Sequence, residues 1–288
     1  MKQLFLLLGL LAMLAATSCS SGPTTYQVKG TIRQVMDDRK TVKIAHEAIP
    51  GYMPAMTMDL TVTNEAELTG LKPGDIVTFR MVVTEDDGWI DQVRRVGWTN
   101  VPAATAPDNL RRVRYVEPLS IGDPLPEYTL TNQAGATIRL SEFKGQALVL
   151  NFIFTRCPFP TFCPRASKGL QETQDQLKAR AGGPTNWHFI SVTIDPAYDT
   201  PSRLRGYAKT YDADPRHWSF ATGTLEDITA LAEQFGLQFW RETPEALPNH
   251  NLRTVVIDAN GRVQYVTVEN EWKTEALVEQ VVKGATLR

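Results

Sequence analysis

The run ALVLNFIF, residues 147–154, is the strongest constraint on how this 288-residue chain can fold. It is almost wholly apolar and does not alternate, so both faces of the strand must be buried, as in a parallel strand covered by helices. Thr155-Arg156 follow, and then Cys157 and Cys163, the only cysteines besides Cys19. Paired thiols at a strand-to-helix junction serve redox chemistry or a soft metal. A helix N-terminus presents unpaired N–H groups and partial positive charge, and both stabilise a thiolate. Pro164 suits the first helical position, which puts Cys163 near the N-cap. Pro158 and Pro160 stiffen the intervening loop. A structural disulfide is the bland alternative, although closing so short a loop contributes little.

Around this strand, residues 119–288 alternate strand and helix. TLTNQAGATIRLSEF predicts a hairpin, HFISVTID a strand, and SKGLQETQDQLKARA, TPSRLRGYAKTY, LEDITALAEQF and TEALVEQVVKGA predict helices. RTVVIDANGRVQYVTV predicts a hairpin turned at Asn260-Gly261. With the cysteines after the first core strand, the order predicts a thioredoxin-like α/β domain.

Residues 26–98 differ in kind. YQVKGTIRQV, TVKIAHEA, MTMDLTV, DIVTFRMVV and WIDQVRRV are short, alternating and β-branched. Turn signals separate them at Asp37-Asp38, Lys72-Pro73-Gly74-Asp75 and Asp86-Asp87-Gly88. They predict a small closed OB-like barrel. The chain is thus read as α+β with two domains, joined by a linker over 99–118 that is rich in Ala and Pro. The basic cluster Arg111, Arg112 and Arg114 in that linker reads as solvated surface. A net charge of −2 gives no reason to expect nucleic acid as a partner.

Soft chemistry is also concentrated in the barrel. Met56 and Met58 stand two apart in a strand and share a face. Met53 precedes them in a Pro- and Gly-flanked loop, and His46 closes the preceding strand. Three thioethers and an imidazole favour Cu(I) or Ag(I) over harder ions. Methionines filling the barrel interior are the alternative.

The segment from His46 through Pro54-Ala55-Met56-Thr57-Met58-Asp59, with the turn at 71–75, resembles the periplasmic copper- and silver-binding module of the CusF type. The resemblance implies His46, Met56 and Met58 as ligands. Met53 stands where that family places a tryptophan, which exchanges a cation–π cap for a further thioether.

The second domain resembles the Sco (SenC) family. The motifs are Phe154-Thr155-Arg156-Cys157-Pro158, Cys163-Pro164, Asp195-Pro196-Ala197-Tyr198-Asp199-Thr200-Pro201, and Asn249-His250 ahead of the strand TVVID. That resemblance implies that Cys157, Cys163 and His250 bind copper, with His250 on a late loop facing the cysteines. It also implies work on the Cu(A) centre of cytochrome c oxidase, by delivering copper, by reducing disulfides, or both. Neutral imidazole and thiolates suit Cu(I) and can hold Cu(II). This chain departs from the family in having five residues between the cysteines, Pro158 to Phe162, where three are usual. His188 and His217 read as structural, and Asp195 and Asp199 as loop-shaping residues.

The N-terminus addresses the chain. Lys2 and the run LFLLLGLLAMLAA have the form of a secretory signal over residues 1–18. Ala16-Thr17-Ser18-Cys19 resembles the lipobox of bacterial lipoproteins. It implies lipidation of Cys19, a tether over 19–25 and a periplasm-facing, membrane-anchored protein. An ordinary signal peptide with a spare cysteine is the alternative.

Three functions suit these features. A copper metallochaperone uses both sites. A thiol–disulfide oxidoreductase acting on oxidase-subunit cysteines uses Cys157 and Cys163 as catalytic thiols. A copper sensor or buffer would need tight retention of the metal. No Thr-x-x-Cys pattern supports a peroxidase.

Overall fold

The computed structural model describes residues 22–100, 116–241, 246–268 and 272–287. The signal peptide, Cys19 and most of the 99–118 linker lie outside these residues.

Five strands form the first domain: β1 (Thr24–Val35), β2 (Thr41–His46), β3 (Met56–Thr61), β4 (Asp75–Val83) and β5 (Gly88–Trp98). They make one antiparallel sheet in the order β3-β2-β1-β4-β5. Alternate residues point inward, and Val28, Ile32, Val42, Ile44, Leu60, Val77, Phe79 and Met81 make the core. The predicted small OB-like barrel takes the form of this five-stranded sheet curled on itself. The edge strands meet at one parallel bridge, Val62 to Ile90, where Thr63 N donates to Ile90 O at 3.4 Å. The sheet curls until its edges touch but does not zip along a full ladder. The register shifts within the β1–β2 and β4–β5 ladders supply local twist.

The second domain has β6 (Thr129–Asn132), β7 (Thr137–Arg139), β8 (Ala147–Ile153), α1 (Cys163–Ala179), β9 (Trp187–Thr193), α2 (Pro201–Thr210), β10 (Trp218–Thr222) and α3 (Leu225–Glu233). The short β11 (Phe239–Trp240) and β12 (Asn249–His250) follow, then β13 (Arg253–Ile257), β14 (Val263–Val268) and α4 (Thr274–Thr286). The main sheet runs β14-β13-β8-β9-β10-β6-β7. Strands β8, β9 and β10 are parallel, and each is buried at every residue, as the apolar run required. Helix α4 packs on β8 and against α1, while α2 packs on β10. The β13–β14 hairpin turns at Gly261, whose φ of +77° favours glycine.

Two elements were not predicted. The strand β10 (WSFAT) carries no alternation and is only five residues long. The β11–β12 ribbon pairs residues on either side of a long excursion, Phe239 with His250 and Trp240 with Asn249. His250 therefore lies in a strand and not, as expected, in a loop.

Candidate metal centre

In the barrel, one hairpin register sets the donors. His46 pairs with Met56, and Ile44 pairs with Met58, across β2 and β3. Both methionines and His46 are buried on the inward face. His46 Nδ1 donates to Glu47 O at 2.7 Å. A carbonyl only accepts, so in the neutral ring the lone pair is on Nε2, the form a metal needs. Met53 is also buried and forms a bridge with Ile49.

In the second domain, the five-residue loop between the cysteines is folded by its own turns. Phe162 N donates to Phe159 O at 3.2 Å, and Arg165 N donates to Pro160 O at 3.0 Å. Cys163 opens α1, with Pro164 in the first turn and Phe162 at the N-cap. Cys163 is fully buried and Cys157 is half-buried; both are free thiols. Burial pushes the Cys157 thiol up, but a hydrogen bond from Cys163 and backbone contacts outweigh it, so its pKa is lowered. Burial, and then that bond to Cys157, push the Cys163 thiol well up. The two sulfurs are thus pushed apart, Cys157 below and Cys163 above the ordinary thiol value.

His250 sits edge-on to Phe154 and Phe162, with ring centroids 5.5 and 6.5 Å away. Its Nδ1 donates to Asn251 O at 2.8 Å, which again leaves the lone pair on Nε2. Burial lowers its pKa to about 4, so the ring stays neutral at working pH. Both candidate imidazoles are thus held by the carbonyl of the next residue.

Met56, Met58, Cys157 and His250 all line one small cavity between the domains. Asn249 lines it too, and neither its Oδ1 nor its Nδ2 finds a hydrogen-bond partner among the described residues, although both are buried. Cys163 lies behind Cys157 and does not line the cavity; nor do His46 and Met53. Among the described residues, no three His, Cys, Asp or Glu side chains form a ready-made cage. The donor chemistry, a thiol of lowered pKa, a neutral imidazole and thioethers, fits a soft monovalent ion.

Two buried carboxylates hold the cysteine loop. Asp199 accepts from Thr155 N at 3.0 Å, Thr155 Oγ1 at 2.5 Å and Thr193 Oγ1 at 2.5 Å. Asp195 pairs with Arg156 Nε at 2.8 Å and with an Arg241 guanidinium nitrogen at 2.5 Å. Arg241 also donates to Ala246 O, which ties this network to the segment before β12. His188 bonds Ser219 Oγ at 2.9 Å within the core, and His217 stacks on Trp187, so both are structural.

The family model described as SCO1/SenC matches residues 121–286. The chain belongs to the SCO1/SenC family. A second model, described as the copper binding periplasmic protein CusF, matches residues 25–95. Among curated relatives, the SCO1 protein homolog of Bacillus subtilis (strain 168) is 28% identical over 179 residues, 58% of this chain and 88% of its own length. The SCO2-like protein of Rickettsia felis is 29% identical over 148 residues, 47% of this chain and 65% of its own length. Among solved structures, BsSco, described as a member of the Sco family of cytochrome c oxidase assembly proteins with a disulfide switch, is 25% identical with a TM-score of 0.50. That match covers 60% of this chain and 98% of the other. The SCO1/SenC domain is therefore the larger part of a chain whose first part is CusF-like.

Sequence reasoning missed the residues by which this SCO1/SenC domain meets its barrel. Tyr52 donates from its hydroxyl to Pro158 O at 3.1 Å, and Phe159 is buried against Gly88. The only available signal was the extra length of the cysteine loop, whose purpose appears only when the two domains are seen together.

Proposed function

We propose that this protein is a copper metallochaperone of the Sco type, with an accessory Cu(I)- and Ag(I)-binding barrel, serving assembly of the Cu(A) centre of cytochrome c oxidase. The observation that carries the reading is the meeting of the Cys157 thiol and the neutral His250 imidazole at one cavity in a SCO1/SenC domain. Cys157, Cys163 and His250 hold the metal in the second domain. His46, Met56 and Met58, with Met53 beside them, hold it in the first. Copper is cargo here, so affinity must be matched to the recipient rather than maximal.

Anaerobic Cu(I) titration tests the ligand sets. The chain is expected to bind two ions, and Cys157→Ser, Cys163→Ser or His250→Ala each to leave only one. Retention of two ions by His250→Ala would overturn the second set. Transfer to a soluble Cu(A)-bearing oxidase domain, followed by the absorption of the filled centre, tests the recipient.

Two free thiols at one strand-to-helix junction, with the Cys157 pKa lowered, favour a second reading, a periplasmic thiol–disulfide oxidoreductase acting on oxidase-subunit cysteines. Reduction of a target peptide by the metal-free protein would support it.

The protein is exported and held at a membrane by acylated Cys19, facing the periplasm. The CusF-like match supports export. Among the described residues, no helix is long and apolar enough to cross a membrane. Cys19→Ala is expected to move the protein from the membrane fraction to the soluble fraction.

A further inference from the structure

The thiol site and strand β3 of the barrel enclose the same space. The cavity holds about 50 Å³, room for an ion and a water but not for a peptide or a thiol carrier. Met56 and Met58 of β3 bound it on one side; Cys157, Phe159, Asn249 and His250 bound it on the other. The buried amide of Asn249, which finds no partner among the described residues, is costly to leave unsatisfied and gives the space a polar wall.

The junction is a fitted one. Phe159, only 2% exposed, lies against Gly88 so closely that a Cβ there would stand 2.7 Å from the ring Cζ. Gly88 has no positive φ, so the missing side chain serves this contact and not a turn. Tyr52 stacks flat on Tyr26 at 4.7 Å, which aims its hydroxyl at Pro158 O. Both anchors on the second domain, Pro158 and Phe159, belong to the five-residue loop between the cysteines. Lys168 and Asp86 add an exposed ion pair at 2.5 Å, of the kind that contributes little.

We propose that Cu(I) passes directly between the barrel donors and the Cys157–Cys163–His250 set across this cavity, inside the docked chain. The long cysteine loop is the element that docks the two domains for this exchange. The inference rests on the copper reading above. Copper stays Cu(I) throughout: a bond to thioether sulfur or imidazole nitrogen is replaced by one to thiolate sulfur. Each thiol that becomes a ligand gives its proton to bulk water, and return of the metal takes the proton back.

The experiment is methyl NMR of Met56 and Met58 in the full chain, anaerobic, with one equivalent of Cu(I). The exchange rate between loaded and empty signals is measured over a tenfold dilution. The expected rate is independent of protein concentration. Gly88→Leu, which removes no donor, is expected to slow exchange at least about tenfold and make it concentration-dependent, because the effective concentration of the partner site is lost. Tyr52→Phe, which keeps the packing, is expected to slow it less, and it stands in if Gly88→Leu does not fold. A wild-type rate that scales with concentration overturns the proposal, as does a rate that neither variant changes. Uptake of fewer than two ions at saturation would instead sink the copper reading and this inference with it.

Discussion

The two proposed donor sets are built in opposite ways. In the barrel, one antiparallel register brings His46 opposite Met56 and places Met58 on the same face. In the second domain, Cys157 and Cys163 come from a loop and a helix start, and His250 comes from a two-residue strand much later in the chain. The first set needs only a hairpin to be correct. The second needs a frame: Asp199 on Thr155, Asp195 between Arg156 and Arg241, and β11 beside β12. A ladder-built site is specified locally and is stiff. A loop-built site is adjustable, and its stability is supplied from residues that never touch the metal.

The largest expected effect comes from removing a thiol. Cys157→Ser should weaken Cu(I) at the second site at least about a thousandfold, since a whole site is worth roughly 10–16 kcal/mol shared among a few ligands. Barrel affinity should be unchanged, as read by competition with a Cu(I) chelator. Equal losses at both sites would erase the contrast between them.

Next is the frame. Asp199→Ala leaves Thr155 and Thr193 without their buried acceptor and should destabilise the second domain by about 3–4 kcal/mol. Denaturant unfolding followed through that domain should show the loss, while the barrel transition stays in place.

The core of the second domain also has a pH signature. Burial lowers the His188 pKa to about 4, from an ordinary 6.5. The unfolded chain therefore takes up this proton before the folded chain does. The His188 contribution is fully present above pH 6.5 and is lost as pH falls through 6.5 toward 4. The loss should approach roughly 3 kcal/mol, and His188→Gln should flatten that part of the stability profile relative to wild type.

Smallest in stability, and most pointed for the comparison, is Met58→Leu. The swap nearly conserves volume and should change unfolding free energy by less than about 1.5 kcal/mol. It should still lower Cu(I) affinity of the barrel. Unchanged affinity would mean that Met58 only fills the core.

The same contrast governs what could be read from the chain. ALVLNFIF, the alternating barrel strands and Asn260-Gly261 carry their structure in their own residues, so these elements were legible. Met56 and Met58 were legible as one face because strand geometry alone puts them there. The β10 strand was not, since five unpatterned residues resemble any apolar patch. The β11–β12 ribbon was invisible because two-residue strands exist only through their partner. The cysteine loop was visible as an oddity of length, but its use depends on Gly88, Tyr52 and Phe159 meeting across domains. Local rules cannot report a contact between residues from two separate folding units.

Phe159 lying in the hollow left by Gly88 has one more consequence. The face of the cysteine loop that meets the barrel is covered while the two domains are docked. On the proposed function, a recipient reaches Cys157 from this side only once the barrel has moved away, so loading and unloading take turns. While the barrel is seated, it also covers this side of the thiol loop.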